Sequence, residues 1–276
     1  MGDAAAISFS VTHQSYVSRD GTAIGLFLVH RADVGPSEGT PAILTGYGGF
    51  AIASTPVWSP VAAAWCEQGG LYAVAGLRGG AEEGESWHEA GMRDRKQNVF
   101  DDFASAADHL VASGWTSRRR LAITGRSNGG LLVAAALTQR PDLARAVHCG
   151  VPLTDMVRFP QFLIARLWVP EYGDPDVAEE LAWLHAYSPY HRVVAGTCYP
   201  AVLFTTAEGD SRVDPLHARK MAAQLQWASP CQDERPILFQ EEGRAGHGVG
   251  KPLHKQADEG ADVLAFLAWQ LGAERS

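Results

Sequence analysis

One serine in this chain lies in a setting that predicts nucleophilic chemistry. Ser127 lies between glycines in the segment Gly125–Gly129, which fits the pattern G-x-S-x-G. A short β-branched run precedes this segment and an apolar helical run follows it, so the chain is expected to turn sharply and expose the serine hydroxyl. Gly125 and Gly129 have no Cβ, which lets strand and helix approach closely. We therefore expect Ser127 to attack acyl groups, with N–H groups of the helix N-terminus facing the developing negative charge.

A serine hydroxyl needs an adjacent base, and two loops downstream supply a base and an acid. In proteins with this turn, the serine is followed along the chain by an acid and then by a histidine. Asp210 follows a predicted strand over residues 202–206, and His247 lies in a glycine-flanked loop after a predicted strand over residues 237–240. In this arrangement His247 takes and returns the proton of Ser127, while Asp210 fixes the histidine tautomer.

Other acids and histidines compete for these roles. Asp214 precedes Pro215, which is typical of a helix N-cap followed by proline at the first helical position. Glu208 stays open as an alternative acid. The remaining histidines lack a glycine loop after a strand and are interpreted as structural or surface residues; they are His13, His30, His88, His109, His148, His185, His191, His217 and His254.

A tetrahedral oxyanion requires hydrogen-bond donors. The backbone N–H of Asn128, directly after the nucleophile, is the first expected donor. The second should come from the glycine-rich turn Gly46–Gly49, which follows an earlier strand. Tyr47 lies in that turn, so its hydroxyl is a candidate donor. The alternative is that Tyr47 packs within a tight turn.

The elements that must position these residues alternate along the chain. Short buried strands of four to six residues alternate with helices of ten to sixteen, which predicts a mostly parallel sheet with helices on both faces. This is the α/β-hydrolase fold, in which the site lies at the carboxyl ends of the strands. We expect one domain over residues 1–276, with residues 1–6 disordered. The predicted strands cover residues 8–17, 24–30, 42–45, 71–75, 121–124, 146–149, 202–206 and 237–240, and the helices cover 61–67, 98–113, 131–139, 215–227 and 255–271, with short helices over 159–191.

Composition excludes several other classes of protein. The net charge is −8, and Arg118–Arg120 is the one basic run, so no nucleic-acid surface is expected. No apolar run reaches the roughly 18–20 residues of a membrane span, and residues 1–10 do not form a signal peptide. The four cysteines form no C-x-x-C pair, which argues against zinc and redox chemistry and predicts reduced, mostly buried thiols. No metal and no cofactor are expected. A cytoplasmic location is the default expectation.

Several further motifs, taken in order, resemble the prolyl oligopeptidase family of serine peptidases. The resemblance runs from about Ser15 to Leu271. Its motifs are Tyr47-Gly48-Gly49-Phe50, Leu77-Arg78-Gly79-Gly80, Trp87-His88, Lys96-Gln97-Asn98-Val99-Phe100-Asp101-Asp102-Phe103, Gly125–Gly130, Asp210–His217 and Ala245-Gly246-His247-Gly248.

The resemblance implies roles position by position. Ser127, Asp210 and His247 match the catalytic triad, and Tyr47 matches the tyrosine whose hydroxyl helps to form the oxyanion hole. The resemblance also implies a pocket for a substrate proline, since a flat aromatic pocket suits a rigid apolar ring. In that pocket Trp168 would stack on the proline, Phe50, Tyr172 and Val213 would form other walls, and Arg212 would hold a substrate carbonyl.

The chain also departs from the family pattern. Members carry a β-propeller that covers the site and an N-terminal segment that wraps the hydrolase domain, and neither is evident in this sequence, so a missing propeller or a homodimer is expected. Arg126 stands where glycine is expected. The predicted activity is cleavage of short peptides after proline through an acyl-enzyme. A carboxylesterase acting on small esters and a non-catalytic binding fragment are the alternatives.

Overall fold

A single mixed sheet organises the protein, seen here in a computed structural model that describes residues 7–55, 57–243, 246 and 252–273. Its eight strands lie in the order β1-β2-β4-β3-β5-β6-β7-β8. β2 runs antiparallel to β1 and β4, and the other neighbours are parallel. The strands are β1 Phe9–Val17, β2 Ala23–Arg31, β3 Ala42–Gly46, β4 Leu71–Gly76, β5 Leu121–Arg126, β6 Ala146–Gly150, β7 Ala201–Ala207 and β8 Ile237–Glu242.

The burial of each strand follows from its place in the sheet. Every residue of β6 and β7 is buried, as expected for parallel strands covered on both faces. β2, by contrast, alternates between fully and partly buried residues, because it lies next to the edge strand β1. The parallel strands therefore form the rigid centre from which the loops at their carboxyl ends project.

Helices cover both faces of this sheet. α1 and α9 pack with the side chains of one face, where Trp65, Phe266 and Leu267 are buried. α3, α4 and α8 cover the other face, in a larger apolar core that contains Phe103 and Leu225. The helices are α1 Pro60–Glu67, α2 Glu85–Glu89, α3 Gln97–Ala112, α4 Asn128–Gln139, α5 Val169–Tyr172, α6 Ala178–Tyr187, α7 Pro189–Arg192, α8 Leu216–Ala228 and α9 Leu253–Leu271.

The predicted elements are confirmed, with ends that differ by a few residues. The aromatic segment 159–191 does form short helices, as its lack of a clean period indicated. α2 was not predicted, because five residues are too few to show a helical period. α8 begins at Leu216, whose N–H donates to the Asp214 carboxylate over 2.9 Å. Asp214 therefore does serve the start of that helix. The disorder expected for residues 1–6 falls outside the described residues.

The prediction of four reduced cysteines is wrong for two of them. Cys198 and Cys231 form a disulfide, with Cα atoms 5.3 Å apart and 33 residues of sequence separation. The two segments that precede β7 and β8 meet because these strands are neighbours, a proximity that sequence spacing did not reveal. Cys66 and Cys149 are free and buried, as predicted.

No helix within the described part of the chain is long and apolar enough to span a membrane.

We expect the Cys198–Cys231 disulfide to stabilise the protein. Closing a loop of this length lowers the entropy of the unfolded chain, which corresponds to about 3–4 kcal/mol in the chain-entropy treatment. The double variant Cys198→Ala/Cys231→Ala should therefore lose about 2–4 kcal/mol of unfolding free energy, measured by urea denaturation. A reductant should destabilise the native protein to a similar extent and leave the variant unchanged. Equal urea midpoints for the two proteins would contradict this expectation.

Candidate active site

The turn between β5 and α4 holds Ser127 in a strained conformation. Its φ is 57°, in the left-handed region that non-glycine residues rarely adopt. Two backbone hydrogen bonds hold it there: its N–H donates to the Gly150 carbonyl over 2.9 Å, and its carbonyl accepts from Leu131 over 3.0 Å. A Cβ on Gly125 would overlap the carbonyl of Gly129, so the predicted need for glycine at Gly125 is confirmed. Backbone strain of this kind clusters at functional sites.

The side chain of Asn128 connects this turn to two other segments. Its Nδ2 donates to the carbonyl of Tyr47 over 2.6 Å, and its Oδ1 accepts from the Tyr172 hydroxyl over 2.8 Å. Asn128 and Tyr172 are both buried. A Cβ on Gly49 would meet the Asn128 amide at 2.7 Å, so the glycine-rich turn approaches closely because it lacks side chains there.

The Tyr47 side chain lies close to Ser127, and the two residues line the same pocket. Burial raises the pKa of Tyr47 above its usual value, while the neighbouring Ser127 side chain and the positive charge of Arg212 act in the opposite direction. The tyrosine hydroxyl therefore keeps its proton at neutral pH and can act as a donor. This geometry favours the donor interpretation of Tyr47 over the packing interpretation.

A buried carboxylate holds the segment that follows Tyr47. Glu171 Oε1 accepts from the N–H of Phe50 over 3.0 Å, and its Oε2 lies 2.8 Å from Nε2 of His88. Phe50 has a φ of 58°, so this hydrogen bond fixes a strained residue. Lys96 Nζ lies 3.7 Å from the same carboxylate and donates to the carbonyl of Gly48 over 2.8 Å. The Glu171 carboxylate and the Lys96 ammonium therefore hold this turn by hydrogen bonds, and the His88 imidazole in turn contacts Glu171.

The charged members of this cluster have shifted pKa values. Burial lowers the pKa of Lys96 to about 8, although the negative charge of Glu171 opposes the shift. Burial also lowers the pKa of His88, but its bonds to Glu171 and Glu85 outweigh that effect and leave the pKa above the usual value. Glu171 therefore favours the protonated form of both neighbours.

Aromatic side chains form a wall beside this turn. The rings of Phe50 and Tyr172 meet edge to face at 5.5 Å, and those of Phe50 and Trp168 at 6.5 Å. Tyr172 is fully buried, while Trp168 and Phe50 are partly exposed. The structure therefore brings the three aromatic residues of the expected proline pocket together. Val213 is buried in the same core.

The loop after β7 presents Asp210. This carboxylate is buried and accepts from the N–H groups of Arg212 and Val213 over 2.8 and 2.9 Å. Glu208, the alternative acid, is exposed. Arg212 is exposed, and its positive charge acts to lower the pKa of Tyr47. His247, the predicted base, lies outside the described residues.

An open apolar pocket of about 870 Å³ adjoins Ser127 and Tyr47. Its walls come from strands β1 to β5, from α1 and from residues 52–55 and 57–59. Val57 and Trp58 on its rim are 79% and 76% exposed, so a large apolar surface faces solvent here. Phe50, Trp168 and Tyr172 do not line it, so the aromatic wall is separate from this pocket.

The sequence did not reveal the role of the Glu171 cluster. His88 was assigned to the structural or surface histidines, Lys96 was noted only as part of a motif, and Glu171 was not singled out. Lys96 is 1% and Glu171 5% exposed, which is rare for charged residues. The sequence places these residues beside aromatic and glycine motifs, which was the one available indication of their role. The burial of a charged side chain cannot be deduced from its residue type alone.

These features define a class of protein. A mostly parallel sheet with helices on both faces, and a strained serine between β5 and α4, are those of an α/β-hydrolase. The model of the prolyl oligopeptidase family matches residues 57–274. The chain belongs to the prolyl oligopeptidase family, as the resemblance indicated.

Relatives of known sequence and structure match most of this chain. It is 42% identical to a prolyl endopeptidase of Elizabethkingia miricola over 258 residues, which covers 93% of this chain and 36% of that protein. Prolyl oligopeptidase B from Galerina marginata, solved with a bound 35-residue substrate, has a TM-score of 0.93 at 37% identity over 97% of this chain and 38% of its own. A post-proline cleaving enzyme from Rickettsia typhi has a TM-score of 0.90 at 34% identity, covering 97% and 38%. The chain therefore spans little more than a third of the length of these relatives.

Glu171→Gln should lower the pKa of His88. The variant keeps an acceptor for the Phe50 N–H but removes the negative charge that favours protonated His88. The stability contributed by protonated His88 is complete below its unfolded pKa of about 6.5 and is lost as pH rises through the raised folded value. Histidine NMR titration measures the shift, and the exposed neighbour provides a control, since Glu85→Gln should have a smaller effect. Equal shifts in both variants would contradict the role given to Glu171.

Proposed function

We propose that this chain is the catalytic part of a serine peptidase, with Ser127 as nucleophile, His247 as general base and Asp210 as the acid that orients it. The observation that carries the proposal is the strained Ser127, which lies beside Tyr47 in the lining of one pocket. Membership of the prolyl oligopeptidase family supports the same roles. Asp210 is preferred to Glu208 because it is buried and held by two backbone N–H groups, whereas Glu208 is exposed.

The reaction proceeds in two acyl-transfer steps. Ser127 Oγ attacks the carbonyl carbon of the scissile peptide bond while His247 takes the hydroxyl proton. The Tyr47 hydroxyl and the Asn128 N–H donate to the oxyanion, which lies at the N-terminus of α4. His247 then protonates the leaving amine, and an acyl-enzyme forms on Ser127. Water deprotonated by His247 attacks this ester and releases the acid.

The preference for proline is supported by the aromatic wall. A pyrrolidine ring is flat and apolar, and it would lie against Trp168 with Phe50 and Tyr172 behind it. Arg212 is exposed on the adjacent loop, where it can donate to a substrate carbonyl. We assign the leaving portion of the substrate to the apolar pocket on the other side of Ser127. Relatives named prolyl endopeptidases support this substrate class.

A carboxylesterase is the second candidate. The open apolar pocket beside Ser127 favours it, because small esters need less positioning than peptides. The ratio of kcat/KM for a proline amide to that for a short acyl ester separates the two. A preference for the ester by orders of magnitude would replace the peptidase proposal.

Location and assembly belong to the same proposal. The sequence predicts a cytoplasmic location. The Cys198–Cys231 disulfide argues against this location, because disulfides persist mainly in oxidising compartments. The exposed Val57 and Trp58 support coverage of the apolar pocket by a propeller domain or by a second copy of the chain. Sedimentation equilibrium distinguishes a dimer from a monomer.

Ser127→Ala should abolish both hydrolysis of a chromogenic proline amide and labelling by a fluorophosphonate. Removing the hydroxyl removes the atom that forms the acyl-enzyme. Ser113→Ala, at the end of α3, should retain both properties and controls for serine loss elsewhere. Labelling that survives in the Ser127 variant would place the nucleophile on another residue.

Tyr47→Phe should lower kcat/KM about 10²–10³-fold, mainly through kcat, because one oxyanion donor is worth about 3–4 kcal/mol in the transition state. The matched control is Tyr187→Phe: the Tyr187 hydroxyl is buried and has no hydrogen-bond partner in the described structure, so its loss breaks no bond. That variant should keep native kinetics. A loss confined to KM in Tyr47→Phe would make Tyr47 a binding residue instead.

A further inference from the structure

A second recess lies at the opposite end of the parallel strands from Ser127. Its volume is about 750 Å³, within the roughly 300–1,000 Å³ of small-molecule sites. Four arginines and one glutamate supply its charged side chains, and the end of α9 closes it with Trp269. The arginines are Arg119, Arg120, Arg145 and Arg235, and we refer to this recess as the arginine pocket.

The topology of the sheet places these guanidinium groups together. Arg120 directly precedes β5, Arg145 directly precedes β6, and Arg235 lies two residues before β8. The amino ends of parallel strands meet at one edge of a sheet, so residues distant in sequence converge. Because the backbone of the strands is rigid, the guanidinium groups are held near one another rather than spread over a flexible loop.

Part of this positive charge has a structural use. Arg120 donates to the carbonyls of Leu271 and Gly272 at the end of α9 and to that of Gly39. These bonds satisfy helix C-terminal carbonyls, where a cation is favourable. Arg120 is therefore a helix-capping residue, and it contributes little to an added ligand.

The other three arginines keep unused donors. Arg145 donates through Nε and Nη2 to the carbonyls of Gln270 and Glu234, at 3.4 and 2.7 Å, and its Nη1 has no partner among the described residues. Arg235 makes one long bond, 3.4 Å to the carbonyl of Cys198. Arg119 is exposed, and within the described ranges it makes no hydrogen bond or ion pair.

Carboxylates do not neutralise this cluster. None of the four arginines forms an ion pair with a carboxylate in the described part of the chain. The pKa of Arg145 is lowered, first by burial and then by the positive charges of Arg235 and Arg119. The negative charge of Glu234 opposes this shift. Crowded guanidinium groups repel one another, in a chain whose net charge is −8. A multiply charged anion would relieve this repulsion and use the unused N–H groups.

We propose that the arginine pocket binds a polyphosphate chain. Phosphate oxygens match the planar fork of guanidinium donors, and two or three linked phosphates match three separated arginines better than one phosphate does. Trp269 is half exposed on the wall, and its indole offers a face on which a nucleobase can stack. The ligand is thus an inorganic polyphosphate or a nucleoside triphosphate, which share the same charged chain.

Calorimetric titration of the whole protein with tripolyphosphate and, separately, with ATP, both without divalent metal ions, tests the proposal. We expect a stoichiometry of one, with an affinity that falls as salt rises. The double variant Arg119→Gln/Arg235→Gln should weaken binding at least tenfold. Neither residue caps a helix, so the variant should keep the fold. Arg192→Gln removes an exposed charge of α7 and should change the affinity less than twofold.

The two sources of phosphate give different results, and both support the site. If ATP binds more tightly than tripolyphosphate and Trp269→Leu removes that advantage, the ligand is a nucleotide. If the two bind equally and Trp269→Leu has no effect, it is an inorganic chain. Absence of saturable binding at low salt, or an equal loss in Arg192→Gln, would overturn the proposal, provided that circular dichroism shows each variant to be folded.

Discussion

The side chain of Asn128 makes two hydrogen bonds, and the geometry around Ser127 depends on them. One bond ends on the backbone of Tyr47 and the other on the hydroxyl of Tyr172. A single amide therefore connects the serine turn, the oxyanion loop and the aromatic wall. An aspartate or leucine at this position would leave at least one buried polar group unpaired, at a cost of about 1–3 kcal/mol. The amide is suited to the position because it both donates and accepts.

Beneath this amide, buried charges hold the backbone that carries Tyr47. Glu171 and Lys96 are nearly inaccessible to solvent, and burying such charges is unfavourable unless they are well bonded. Here they satisfy the Phe50 N–H and the Gly48 carbonyl, which belong to a turn with several positive φ values. The hydrogen bonds between turn and charges offset both the strain of the turn and the desolvation of the charges, and they form only when both parts are in place. This coupling explains why an apolar replacement of one member is expected to disturb the loop as well as the core.

The fold and much of the site could be predicted from the sequence, for identifiable reasons. The strands have short buried runs, and the turn at Ser127 has a glycine at Gly125, where a Cβ does not fit, so local patterns were sufficient. The grouping of Phe50, Trp168 and Tyr172 came from family resemblance; the structure brings the three rings together, and their role in binding substrate stays a prediction. The disulfide and the Glu171 cluster were missed because both depend on contacts between segments far apart in sequence. The spacing of these residues in the sequence does not show that their segments come into contact.

The Cys198–Cys231 disulfide has a consequence for the register of the sheet. β8 is the edge strand and pairs with β7, with Val202 opposite Ile237. A slip of one residue would turn every side chain of β8 to the other face and move the chain after β8 by about 3.3 Å relative to the Asp210 loop. The disulfide joins the segments just before these two strands, so it opposes such sliding from their amino ends. It thereby fixes the alignment of two strands whose far ends lead to Asp210 and towards His247.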